Sequence, residues 1–285
     1  MSPDGFTKRP YCAAVLGLWL LGAACGTAGA EELSDPFPGF AASAYLLKMQ
    51  GRVLWARSPD RTLAPASLTK IMTALLAIRH SRLDELAVVR RDAARETGTR
   101  LGLKQGETMY VGFLLAATLL RSANDACHAL ADHVAGNETA FVSLMNKEAH
   151  ALGMEHTRFT NACGHDQTGH YSTARDLALL TEEALREPVF SELVSTVRLD
   201  ISTRGGKRVF PLENKNELVG RYPGAVGVKT GYTDKAGKCV IALVERDGVR
   251  TLFVVLNAPD RWWGSIDVLD AAFAQAEGAK KVSPP

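Results

Sequence analysis

The chain has 285 residues, 46% of them apolar, and its 33 Lys and Arg against 31 Asp and Glu give a formal net charge of +2. Positive charge is neither in excess nor gathered into a stripe, which excludes nucleic acid as a partner recognised through bulk charge. The length is enough for one domain with a substantial core, or for one domain carrying an insertion.

Lys8 and Arg9 precede an apolar run from Tyr11 to Ala24, and Ala28-Gly29-Ala30 supplies a small-residue cleavage site before Glu31 and Glu32. This pattern predicts a removable export signal over residues 1–30, with an apolar core too short for a spanning helix. Cys25 follows Gly22-Ala23-Ala24 without the apolar residue that a lipoprotein signal places three positions earlier, so simple cleavage is the reading. Cys12 and Cys25 leave with the signal. Cys127, Cys163 and Cys239 remain, an odd set that reads as small buried hydrophobes, with one disulfide among them left open.

After the extended Asp35-Pro36-Phe37-Pro38, residues Ala42 to Ala56 alternate around Gln50-Gly51 and predict a β-hairpin. Pro65 then opens a helical apolar pattern through Leu68, Ile71, Met72, Leu75, Leu76 and Ile78, which places Ser67 in the first turn of a buried helix. A helical subdomain is expected over Ala93 to Gly153, with breaks at Gly98 to Gly106 and at Gly136-Asn137. Gly153 to Tyr171 reads as a loop, and Ser172 or Thr173 caps a helix running to Arg186. Strands are predicted at Val226 to Thr233, Cys239 to Glu245 and Arg250 to Leu256, the last two joined by an Asp247-Gly248 turn. A last helix covers Ser265 to Ala276. The fold class is α+β, an antiparallel sheet flanked by helices with a helical subdomain inserted at 93–153. The domain is expected over 31–277, ahead of a frayed tail at 278–285.

Three short patterns carry the chemistry, each present once and in this order: Ser67-Leu68-Thr69-Lys70, Ser122-Ala123-Asn124 and Lys229-Thr230-Gly231. Each is weak alone; as an ordered SxxK, SxN and KTG set they indicate an active-site serine acyl transferase. A serine hydroxyl needs an adjacent base, and Lys70, three residues on, shares a helix face with Ser67. Lys70 takes that proton only when neutral, a state favoured by burial beside another cation such as Lys229. The Ser67 N–H at a helix start is suited to half of an oxyanion hole. Ser122 is equally placed to cap the helix of Asp125 to Ala135. Gly231 within a strand marks close approach by a ligand or backbone, and a strand edge there accepts an extended peptide. Lys229 and Thr230 beside it offer a charge and a hydroxyl to a carboxylate.

At these residues the chain resembles the low-molecular-weight penicillin-binding proteins of the D-alanyl-D-alanine carboxypeptidase type, the S11 serine peptidases. The likeness runs from about Ala42 to Phe273 and includes Pro65 to Lys70, Ser122 to Ala126, Phe159-Thr160-Asn161, Ser172 to Asp176, and Gly227 to Thr233 followed by Ala236-Gly237. It implies a β-lactamase/transpeptidase-like fold and attack by Ser67 on the bond between two D-alanines, with Lys70 as base. It further implies that Ser122 relays a proton to the departing D-alanine, Asn124 holds the acyl-side amide, Lys229 and Thr230 bind the terminal carboxylate, and the Tyr232 N–H completes the oxyanion hole. Peptidoglycan stem peptides are then the substrates and β-lactams covalent inhibitors, with no metal or organic cofactor, in the periplasm or envelope of a bacterium. Many members continue into a second β-rich domain and an amphipathic anchor, so with the chain ending at Pro285 no stable membrane anchor is expected after signal cleavage. Asn214-Lys215-Asn216 carries Lys where relatives often carry Arg, and Glu187 is the expected acidic partner of Lys215.

The nearest competing reading is a D,D-endopeptidase cutting stem-peptide cross-links with the same residues. A β-lactamase is disfavoured because Asp166 is the only acid between Gly164 and His170. A zinc site from His156, Cys163, His165 and His170 lacks any peptidase ligand spacing. A non-catalytic peptidoglycan or β-lactam binding module is argued against by the intact three motifs.

Overall fold

The computed structural model describes residues 35–282, so the expected export signal at 1–30, with Cys12 and Cys25, and the final residues 283–285 lie outside it. The chain runs β1 (Ala44–Met49), β2 (Arg52–Arg57), a 3-10 turn (Ala66–Thr69), α1 (Lys70–His80), β3 (Leu86–Val88), α2 (Arg91–Ala94), β4 (Thr108–Tyr110) and α3 (Val111–Ala116). A π turn (Ala117–Arg121) leads to α4 (Asn124–Ala135), α5 (Glu138–Ala151), α6 (Ala174–Ala184), α7 (Pro188–Ser195), β5 (Arg198–Ser202) and β6 (Val209–Glu213). The order ends with β7 (Ala225–Thr233), β8 (Gly237–Arg246), β9 (Val249–Leu256) and α8 (Trp263–Val282).

Five strands form one antiparallel sheet in the order β2-β1-β9-β8-β7, bringing the first hairpin beside the last strand of the chain. Side chains alternate across it, as a period of two requires. Ala44 and Leu46 of β1, Ile241 and Leu243 of β8, and Leu252 and Val254 of β9 join the core shared with α1, α3, α4, α5, α6 and α7. Their neighbours Tyr45, Leu47, Val240, Ala242, Phe253 and Val255 pack on the other face with Val268, Leu269, Ala272 and Phe273 of α8. Both faces are therefore covered by helices, the expected α+β arrangement.

Helix α1 is buried from Lys70 to Ala77 and packs against α4, α5, α6 and α7. The expected hairpin turns are present: Gln50 and Gly51, and Asp247 and Gly248, all have positive φ, as a two-residue turn between right-twisted strands demands.

Several elements differ from expectation. Ser67 lies in the 3-10 turn that feeds α1, and the preceding Ala66 has φ +47°. Strand β4 falls within the segment expected to be helical and pairs with β3 just before that segment, while residues 95–107 between them are irregular around the expected break at Gly98 to Gly106. Helix α7 and the pair β5/β6 have no counterpart in the predicted elements. Pro211 sits inside β6, which a two-stranded sheet tolerates because each strand has an open edge. Helix α8 begins two residues before the expected Ser265 and runs to Val282, six beyond Ala276. Cys127, Cys163 and Cys239 are free and buried.

Phe253 is fully buried, with its ring 5.7 Å from that of Tyr45 and 6.0 Å from that of Phe40. Phe253→Ala is expected to cost about 3–5 kcal/mol, read from the urea midpoint at unchanged slope.

Candidate active site

The buried stretch of helix α1, Lys70 to Ala77, carries one ionisable side chain, the Lys70 amine, among apolar residues and Thr73. Lys70 is fully buried, and its Nζ lies 3.0 Å from Ser67 Oγ, 2.8 Å from Asn124 Oδ1 and 2.5 Å from the Cys163 carbonyl. Two of these partners, an amide oxygen and a backbone carbonyl, can only accept. A neutral amine donates its two hydrogens to them and is left with its lone pair toward the Ser67 hydroxyl, the arrangement a general base needs.

Each acceptor is held in turn. Asn124 opens α4; its Nδ2 donates to the Thr97 carbonyl (2.6 Å) and its backbone N–H to that of Thr99 (2.7 Å). The next residue, Asp125, receives the N–H groups of Leu101, Gly102 and Leu103 and pins the same loop. The Cys163 segment is fixed by Thr73 Oγ1 on the Ala162 carbonyl (2.6 Å) and by Asn161 Oδ1, which accepts from Gly164 N (2.7 Å) and His165 N (3.0 Å).

The Ala66–Ser67 turn is squeezed from both sides. A Cβ on Gly164 would fall 1.9 Å from the Ala66 carbonyl oxygen, and its φ of +85° disfavours any side chain. A Cβ on Gly231 would lie 3.1–3.2 Å from Ala66, Pro65 and the Ser67 nitrogen, so β7 approaches Ser67 with bare backbone. Ser122 also sits in a left-handed conformation, φ +61°, between the π turn and α4. It does not cap that helix: Ala123 occupies the cap position and no side chain bonds there. Non-glycine residues at positive φ on both Ala66 and Ser122 are the kind of local strain that gathers at functional sites.

Cations converge at the far end of this arrangement. Lys229 is buried, and burial together with the charges of Lys70, Lys215 and Arg261 pushes its pKa well below the usual lysine value. A carboxylate brought against it would favour the charged form. Thr230, Lys215, Arg121 and Arg261 line a cavity of 460 Å³ beside it. Lys215 donates to Thr99 Oγ1 at 2.9 Å and not to Glu187, correcting the expected pair. Arg79 has claimed Glu187 (3.1 Å), along with Glu148 and Glu183, at the end of α1. Arg261 was not singled out from sequence. It donates to the Gly231 carbonyl at 2.8 Å while its Nε is buried without a partner, and no local pattern around a loop arginine signals that it lies under β7. The Tyr232 side chain is exposed and bonds Asp234, so a role for this residue at Ser67 rests on its backbone.

The zinc candidates are dispersed to other tasks. His156 donates its backbone N–H to Asp176, His165 contacts Glu96, and Cys163 faces Lys70 through its carbonyl. Among the described residues no group of three His, Cys, Asp or Glu is gathered for a metal ion. Asp166, the acid weighed for a β-lactamase, accepts from Thr233 Oγ1 (2.7 Å) and the Lys235 N–H (3.2 Å), tying its loop to the end of β7.

His170 receives the Thr160 N–H on Nδ1 (3.0 Å), so Nε2 carries the proton and donates to Thr69 Oγ1 (2.9 Å), next to Lys70. Burial, with the positive field of His165, lowers its pKa to about 4. A histidine depressed in the fold adds stability above its ordinary value near 6.5, and that contribution is lost as pH falls through about 4. His170→Gln is therefore expected to melt below wild type at pH 7 with the gap narrowing toward pH 4; a constant gap in thermal scans contradicts this. Gly164→Ala is expected to displace the Ala66–Ser67 turn and slow covalent labelling at Ser67 by about a hundredfold, measured in a single turnover.

A family model described as D-alanyl-D-alanine carboxypeptidase, the S11 peptidases, matches residues 34–260. D-alanyl-D-alanine carboxypeptidase DacF of Bacillus subtilis is 36% identical over 248 residues, covering 83% of this chain and 63% of that protein. D-alanyl-D-alanine carboxypeptidase DacB2 of Mycobacterium tuberculosis is 31% identical over 251 residues, 85% of each chain. The chain thus spans less than two thirds of the Bacillus relative and most of the mycobacterial one. The crystal structure of the Streptomyces K15 DD-transpeptidase superposes with a TM-score of 0.78 at 28% identity, over 83% of this chain and 98% of that one. With the serine, the buried lysine and the glycine-edged strand assembled around one turn, and with the family model spanning most of the described residues, the chain belongs to the D-alanyl-D-alanine carboxypeptidase family of S11 serine peptidases.

Proposed function

We propose that this protein is an exported serine D,D-carboxypeptidase that removes the terminal D-alanine from peptidoglycan stem pentapeptides through an acyl-enzyme. The observation that carries this reading is the saturation of Lys70: Asn124 Oδ1 and the Cys163 carbonyl take two hydrogens, leaving the third direction to Ser67 Oγ. In the proposed cycle Lys70 accepts the hydroxyl proton as Ser67 Oγ bonds to the penultimate D-alanine carbonyl. The backbone N–H groups of Ser67 and Tyr232 receive the oxyanion. Ser122 relays that proton from Lys70 to the departing amine, so Lys70 is neutral again, D-alanine leaves with a neutral nitrogen and an ester remains on Ser67. Water, deprotonated by the same lysine, releases the shortened peptide.

Lys229 and Thr230 are assigned to the terminal carboxylate, with Lys215 and Arg261 adding positive field, and Asn124 to the acyl-side amide. Open backbone along β7, an edge strand of the sheet, suits pairing with an extended stem peptide. The signal expected at 1–30 accords with a substrate outside the cytoplasm, and among the described residues no helix is long and apolar enough to cross a membrane. β-Lactams would acylate the same serine.

Ser67→Ala is expected to abolish both D-alanine release and covalent labelling by penicillin, with the wild-type adduct mapping to Ser67 by mass spectrometry. Lys70→Arg should eliminate acylation despite retained charge, because guanidinium is no base near neutral pH, whereas Lys229→Arg should be gentler. A Lys70→Arg enzyme acylating within about tenfold of wild type, ~1.4 kcal/mol in the barrier, would rule out Lys70 as the base. A cross-linked stem-peptide dimer assayed beside the pentapeptide separates carboxypeptidase from endopeptidase action.

A further inference from the structure

Three titratable side chains distant in sequence meet behind the catalytic lysine and take no part in the cycle above. Glu96, in the irregular loop after α2, contacts His128 Nδ1 of α4 through Oε1 at 2.7 Å and His165 Nε2 through Oε2 at 2.9 Å. The Glu96 and His128 side chains are only 12% and 10% exposed, and that of His165 is 35% exposed. This carboxylate therefore bridges three segments, and each contributes to the environment of Lys70. The Glu96 loop provides the Thr97 and Thr99 carbonyls that hold Asn124, α4 carries Asn124 itself, and the His165 loop carries the Cys163 carbonyl and Gly164.

We infer that Glu96 is a positioning residue for acylation: by gripping His128 and His165 at once, its carboxylate fixes the Asn124 amide oxygen and the Cys163 carbonyl relative to each other, and so aims the Lys70 amine at Ser67. The inference rests on the reading of Lys70 as the base. Besides Lys70 itself, the direct hydrogen bonds joining the segments of these two acceptors are thiol contacts, Cys163 Sγ to the Asn124 carbonyl at 3.5 Å and Cys127 Sγ to the Ala162 carbonyl at 3.3 Å, and the Glu96 bridge adds charged contacts to both. An error of about an ångström in the direction of a base costs roughly a hundredfold in rate.

The electrostatics support a charged bridge. Burial by itself would raise the Glu96 pKa, yet the two imidazole contacts outweigh it and hold the carboxyl at about 2. Burial would likewise lower His128, but the hydrogen bond to Glu96, joined by the charges of Glu138 and Asp132, lifts it to about 9. Asp132 Oδ1 lies 3.8 Å from His128 Nε2 on the same helix. Glu138 on α5 uses its Oε1 to accept the Ala162 N–H, just before Cys163. On the remaining side Glu96 faces His165 and acts on the Cys163 thiol, which is buried near Lys70. His128 is thus an imidazolium beside a carboxylate from mildly acidic pH up to about 9, and removal of the Glu96 charge leaves a buried histidine that sheds its proton at lower pH.

The test is penicillin acylation of the whole protein from pH 6 to 10 for wild type, Glu96→Gln and His165→Ala, with thermal melts of each and the Ser67 adduct of the wild type mapped first. Glu96→Gln is expected to lower the first-order acylation rate constant about tenfold to a hundredfold while the concentration for half-maximal rate moves little. Its alkaline limb should begin at lower pH than that of wild type, a change that lost stability alone does not produce. Glu96→Asp should recover part of the rate. His165→Ala, at a partly exposed position, should slow acylation in the same direction and carries the test if Glu96→Gln does not fold. Folded variants that acylate within about twofold of wild type with an unmoved pH profile overturn the role of Glu96 and leave the Ser67 assignment standing. Absence of a Ser67 adduct in the wild type overturns both.

Discussion

One amine buried in an apolar helix governs how the molecule is put together. Lys70 is fully enclosed by the core that Ile71, Met72, Leu75 and Leu76 help to form, where a charged or unpaired polar group costs several kcal/mol. The fold offsets this with acceptors from elements far away in sequence, the Asn124 amide and the Cys163 carbonyl. Neither can stay in place unaided. The loop from Glu96 to Leu103 and the segment from Asn161 to Asp166 are irregular because their polar groups are committed to holding those two oxygens instead of to a regular ladder.

Close packing supplies the second constraint. The sheet brings β7 against the Ala66–Ser67 turn with no side chain at Gly231, and the opposite wall does the same with Gly164. Between them the Ala66–Ser67 turn has little freedom to relax, which is how a positive φ at Ala66 persists. Rigid placement of Ser67, Lys70 and Asn124 is bought with that local strain, sustained by a sheet whose two faces are both buried. The electrostatic design runs the other way. Lys229, Lys215 and Arg261 lie near one another at one end of the site, and the pKa values of all three are held below their usual range by burial, joined for Lys229 and Lys215 by neighbouring positive charge. Such a cluster is suited to an anionic group, and a terminal carboxylate has the charge and size to relieve it.

Two expectations failed for a shared reason. Lys215 was paired with Glu187, and Ser122 was placed to cap α4. Arg79, with its five donors, gathers Glu148, Glu183 and Glu187 into one network and leaves Lys215 to Thr99. Ser122 takes the left-handed conformation that ends the π turn, so the cap position falls one residue later, on Ala123. In both cases the residue types were compatible with the expected contact, and the tertiary surroundings decided otherwise.

The sequence by itself determined the strands of the main sheet, the buried helix behind Ser67 and the identity of the three motifs, because periodicity, turn residues and short spacings are local properties of the chain. Asp247-Gly248 and Gln50-Gly51 announce hairpins through their own backbone preferences, and Ser67 and Lys70 share a face through helical geometry alone. The short strands β5 and β6 were not legible, since five residues of mixed polarity pair only where the rest of the fold presents them to each other. Nor was Arg261 under Gly231, the Cys163 carbonyl on Lys70, or the bridge from Glu96 to His128 and His165. Those contacts join positions far apart in the chain through single hydrogen bonds, and only tertiary packing fixes which donor reaches which acceptor when several are chemically equivalent.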